Sequence, residues 1–130
     1  MRKSFFRLLF YFFMLLFDQI GNIDKIVTQY NNTSNGITVK IFSYGKVALV
    51  RWYGSITNAY SVGTWANIIS NSPVPPDSES SLNECLSTSG VRYTAEYAKS
   101  GSSGVLKVFP RSGQLAAGDY LQGTLVAFIS

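Results

Sequence analysis

The chain has 130 residues, 46% hydrophobic and 14% charged, with a formal net charge of +4. That composition supports one domain with a real core and leaves too little chain for a second. Arg2, Lys3 and Arg7 lie at the start of the chain, and from Asn31 onward seven basic residues face five acidic ones, so the body is nearly neutral; a nucleic-acid partner is not expected.

Histidine is absent and Cys85 is the single cysteine. A disulfide framework, a multi-Cys zinc site and any Ser-His-Asp or Cys-His machinery are thereby excluded, and no metal or cofactor is expected. Carboxylates are what remains for catalysis.

The chain opens on a greasy run, FFRLLFYFFMLLF, at residues 5–17. A spanning helix needs about 20 apolar residues, whereas this run stops at Asp18 and carries Arg7. As a secretion signal it has a basic start and an apolar middle, but DQIGNID lacks the small residues of a cleavage site. Beyond it, Ile20, Ile23, Val27 and Tyr30 recur at steps of three, four and three between polar residues. That spacing predicts an a/d helical seam, and β-branched residues at both positions favour three chains. Residues 1–35 are thus expected to be a hydrophobic leader and a trimeric coiled-coil neck, with an uncleaved membrane anchor as the alternative. The helix should end at NNTSNG, residues 31–36.

From residue 36 to 130 the chain reads as strands. ITVKIFS, VALVRWYGSIT, WANIIS, VRYTAEYA, GVLKVF and DYLQGTLVAFIS are separated by Gly, Ser and Pro, with no helical pattern between them. This predicts an all-β jelly-roll or similar antiparallel sandwich. SPVPPDSESSLNE reads as a solvated loop, whose Asp77, Glu79 and Glu84 are the candidates for a glycosidase-like pair or a cation site.

In VRYTAEYA, Val91, Tyr93, Ala95 and Tyr97 share one face and are assigned to the core. VALVRWYGSI is apolar on both faces, with Val47, Leu49 and Tyr53 against Ala48, Val50, Trp52 and Ile56. The last strand repeats this, setting Leu121, Leu125, Ala127 and Ile129 against Tyr120, Val126 and Phe128. A two-layer fold buries one face only, so the other is expected to meet a second subunit.

The order NGITVKIFSYGKVALVRWYGSIT, GTWANIISNSPVPP, then a strand, then GVLKVFPRSGQLAAGDYLQGTLVAFIS resembles the C-terminal head domain of bacteriophage tail-fibre, baseplate and receptor-binding proteins. The resemblance spans about residues 36–130 and rests on the order of the pieces. It implies a homotrimeric jelly-roll or tumour-necrosis-factor-like head on a coiled-coil neck, a place in the virion, no enzymatic activity, and a host-surface saccharide or other receptor as partner. The N-terminal segment would meet another virion protein. A membrane-tethered or secreted bacterial carbohydrate-binding sandwich is the second expectation.

Saccharide sites combine exposed aromatic faces with hydrogen-bonding groups, so loop aromatics are better candidates than core ones. Tyr60 and Trp65, flanking SVGT, are the expected receptor contacts, with Asp77 and Glu79 as polar partners.

Overall fold

The structure, a computed structural model, describes residues 27–77 and 80–129. The described chain forms eight strands: β1 (Val27–Ser34), β2 (Ile37–Tyr44), β3 (Val47–Ser55), β4 (Ala66–Ser72), β5 (Ser81–Leu86), β6 (Arg92–Ser100), β7 (Ser103–Pro110) and β8 (Tyr120–Phe128). They make two antiparallel four-stranded sheets, ordered β1-β2-β3-β8 and β4-β7-β6-β5. The first is a meander to which β8 returns; the second is a Greek key, with β4 beside β7.

The core lies between the sheets and follows strict alternation where the strands are regular. In β2, Ile37, Val39 and Ile41 are buried while Thr38, Lys40 and Phe42 are only half-covered. Ala48, Val50 and Trp52 of β3 and Tyr93, Ala95 and Tyr97 of β6 meet them from neighbouring positions, as the alternation predicts. Strand β4 breaks the rule, for Ile68 and Ile69 are both buried. A register shift between Asn67 and Ile69 inserts the extra residue that turns two successive side chains inward.

The expected helix does not reach Tyr30. Val27 and Tyr30 belong to strand β1, which pairs with β2 from Val27↔Ser43 to Ser34↔Ile37. The cause is the turn: Asn35 and Gly36 have φ of 52° and 78°, the two positive values of a type I′ hairpin, so the Asn-Gly pair folds the preceding residues back on β2. A Cβ on Gly36 would lie 2.0 Å from the Ser55 carbonyl oxygen. Ile20, Ile23 and the run at residues 5–17 lie outside the described residues.

A second departure is β5, inside the stretch expected to be a loop. Its Leu82 and Leu86 point to solvent, at 59% and 62% exposure, while Asn83 and Cys85 face inward. Asn83 explains the inversion, because its Nδ2 donates to the Thr124 carbonyl of β8 at 3.0 Å. With the Asp77 amide on the Phe128 carbonyl at 2.7 Å and the Thr88 amide on that of Tyr120 at 3.1 Å, Asp77 and residues 81–88 cover the free edge of β8. Carbonyls that would otherwise template another strand are thus satisfied.

Candidate functional site

The outer face of the second sheet brings aromatic rings and charged side chains together. Trp65, just ahead of β4, is 40% exposed. Its ring packs on Phe109 of β7, with centroids 5.1 Å apart and planes tilted by 54°. Register sets the charged groups around it. Asn67, Lys107, Glu96 and Leu82 form one cross-strand row, and Phe109, Thr94 and Glu84 the next.

In the first row Lys107 Nζ lies 5.1 Å from the Trp65 ring centroid and 2.9 Å from Glu96 Oε1. In the second, Thr94 donates to Glu84 Oε1 at 2.6 Å and accepts from Arg111 Nε. The Arg111 guanidinium also stands 5.1 Å from the Phe109 ring centroid and 3.5 Å from Glu84. Thr94 points away from the core yet is only 2% exposed, because this network covers it. Exposed ion pairs add little stability; here they hold donors and acceptors at fixed places beside two aromatic rings.

The expected receptor residues are not brought together. Tyr60 is 7% exposed, part of the core, and bridges Leu115 through paired backbone hydrogen bonds of 2.9 and 3.0 Å. Its ring cannot serve as a surface platform, which corrects that expectation: the backbone bridge to Leu115 draws this stretch of the β3–β4 loop inward. Asp77 sits at the Phe128 end of β8, while Trp65 and Phe109 stand over the Tyr93–Thr94 end of β6, at the opposite end of the sandwich. Glu79 lies outside the described residues. Glu84 is committed to Thr94 and Arg111, and no three potential metal-ligating side chains cluster among the described residues. What the sequence did not single out is Phe109, Lys107, Glu96 and Arg111; the alternation of GVLKVFP marks Lys107 and Phe109 as one face, but only the β4–β7 pairing puts them beside Trp65.

Cys85 is half-buried. Burial pushes its thiol above the usual range, a hydrogen bond with Tyr93 opposes this, and the charge of Glu84 adds to the rise. Such a thiol is a poor nucleophile. A groove of about 370 Å³ lined by Thr88, Ser89, Ala116, Ala117, Gly118 and Asp119 offers one carboxylate, and that is already engaged by Thr88 and Ser89.

The outer face of the first sheet differs in character. The rows Phe42–Leu49–Val126 and Tyr44–Val47–Phe128 place six apolar or aromatic side chains at one end. Val126 is 55% and Phe128 70% exposed. No protein-family profile, curated protein or solved structure matches the chain.

Proposed function

We propose that the chain is a non-enzymatic bacteriophage tail-fibre or tail-tip protein whose homotrimeric head binds a host-surface saccharide on the Trp65 face. The observation that carries this reading is the exposed Trp65 ring, buttressed by Phe109 and ringed by paired Lys107–Glu96 and Arg111–Glu84. A pyranose ring presents C–H groups to an aromatic face and hydroxyls at its rim. The indole meets the first and the neighbouring donors and acceptors the second. The resemblance of residues 36–130 to phage heads supports the virion assignment, and the apolar rows of the first sheet supply a surface for subunit contact. The segment ahead of β1 is then the link to the rest of the particle.

The test is glycan-array binding by the purified protein and its Trp65→Ala variant. A discrete set of saccharides bound by the wild type and lost in a variant that melts normally is the expected result. Equal binding by the two, or no binding by the wild type, would remove the reading.

The thirteen-residue run at 5–17 favours a second reading, a membrane-tethered or secreted bacterial carbohydrate-binding sandwich. It uses the same Trp65 face. Fractionation separates the two: a virion-associated species for the first, a detergent-released membrane species for the second.

A further inference from the structure

On the outer face of the first sheet, beyond its apolar end, two cations stand directly opposite each other. Lys40 of β2 pairs with Arg51 of β3 in the register, and the row continues to Asn31 of β1 and Thr124 of β8. Like charges in directly opposed positions repel and destabilise a ladder. Lys40 Nζ and Arg51 Cζ both approach the ring of Tyr53, 5.8 and 5.6 Å from its centroid, so both heads stay beside one aromatic ring.

Among the described residues no carboxylate balances them, and neither cation makes an ion pair. Glu84 and Glu96 lie on the outer face of the other sheet, Asp119 in the loop before β8, and Asp77 beside Phe128. The next outward row is Thr33, Thr38, Tyr53 and Gln122. The two cations are thus flanked by hydroxyl and amide groups on one side and by the apolar row Phe42–Leu49–Val126 on the other.

We propose that Lys40, Arg51 and Tyr53 form a second binding site, for a sugar bearing an oxyanion. The guanidinium fork and the ammonium take the carboxylate or phosphate. The row of Thr, Asn and Gln takes ring hydroxyls, which distinguishes the ligand from a bare anion. This site is on the opposite sheet from Trp65 and goes beyond the function proposed above.

Calorimetric titration of the full chain tests it, with trigalacturonate for the carboxylate and glucose 6-phosphate for the phosphate. Maltotriose and inorganic phosphate are the controls. At low salt at least one acidic sugar binds, maltotriose does not, and inorganic phosphate binds at least tenfold more weakly than that sugar. Arg51→Gln and Lys40→Gln each reduce the affinity at least tenfold, and raising the salt weakens it. Because each variant removes a like-charge repulsion, neither lowers the melting temperature, so loss of binding is not loss of fold. Trp65→Ala leaves this binding unchanged, which separates it from the fate of the Trp65 reading. Absence of binding by both acidic sugars, equal binding of maltotriose or of inorganic phosphate, or full affinity in both Gln variants overturns the proposal.

Discussion

Trp52 Nε1 donates to the Tyr93 hydroxyl at 3.1 Å across the centre of the core, tying β3 of one sheet to β6 of the other. Both side chains are fully buried. Burial pushes the Tyr93 hydroxyl far above the usual tyrosine range, with the Trp52 N–H opposing the rise, so the contact stays neutral at ordinary pH. Tyr93→Phe keeps the ring but leaves a buried indole N–H without an acceptor, and should cost about 1–3 kcal/mol in chemical denaturation. A loss below about 0.5 kcal/mol would mean that the indole finds another partner.

The same indole sets a size limit on β8. Gly123 faces Trp52 in the register, and a Cβ there would come within 2.1 Å of Trp52 Cζ2. The ring it would meet is fully buried and tied to Tyr93, so it has little room to yield. Gly123→Ala should therefore destabilise the domain by about 1–3 kcal/mol, the usual cost of overpacking, and its melting temperature is the check.

These contacts show what was legible from sequence and what was not. Tyr93, Ala95 and Tyr97 announced their burial by alternation, whereas β3, apolar on both faces, left open that Val50 and Trp52 are the buried side; six of the strands were visible as β-branched or aromatic runs between Gly, Ser and Pro. Strand β5 was hidden because its leucines point outward and its Asn83 inward, a pattern that makes sense only once Thr124 of β8 is beside it. Strand β1 was hidden because it is polar and exposed along most of its length, while Ile20, Ile23, Val27 and Tyr30 also fit a helical spacing. The Asn35-Gly36 pair was the overlooked sign of a hairpin. At the candidate site Trp65 was legible as an exposed loop aromatic, but Phe109 lies forty-four positions away (109 less 65) and reaches it only through strand pairing.

Tyr60 offers a test of the corrected assignment. Its buried hydroxyl has no hydrogen-bond partner among the described residues, and the nearby Asn35 amide is taken up by Thr57 and Asn58. Burial raises its pKa, with the Asn35 side chain opposing the rise. Removing an unsatisfied hydroxyl costs nothing, so Tyr60→Phe should melt within about 0.5 kcal/mol of wild type or above it, whereas Tyr60→Ala should lose about 3–5 kcal/mol of packing. Saccharide binding by the Phe variant should be unchanged.

Asp119 predicts an acid-sensitive corner. Its carboxylate accepts from the Ser89 hydroxyl at 2.6 Å, the Ser89 amide at 3.1 Å and Thr88 at 3.2 Å, pinning the β5–β6 turn to the start of β8. Burial by itself would raise the pKa, but the hydrogen bonds from Ser89, Ser87 and Thr88 together prevail and hold it below the ordinary value of 3.8. A depressed folded-state pKa contributes stability that is present above 3.8 and is lost as the pH falls through the folded value. Asp119→Asn should cost about 1–2 kcal/mol at neutral pH, and the gap from wild type should close in strongly acidic solution. A gap that stays constant with pH would show that the charge plays no part.

The proposed trimer rests on the apolar end of the first sheet's outer face. Val126 and Phe128 project from β8 there, and their neighbours across the sheet are Leu49 and Val47. An exposed apolar surface of this kind favours association by removing area from water, at about 25 cal/mol per Å². A charge placed at each projecting position must be desolvated if the surface is to close. The backbone hydrogen bonds of β8, including the one from the Asp77 amide to the Phe128 carbonyl, do not involve either side chain. Val126→Lys with Phe128→Lys should therefore leave the β domain folded by circular dichroism while converting the trimer to monomer. Sedimentation equilibrium should return about three times 14.3 kDa for the wild type and a single chain mass for the double variant. If both sediment as trimers, the subunits meet through another surface; if both sediment as monomers, this chain does not associate on its own and the trimeric head is wrong.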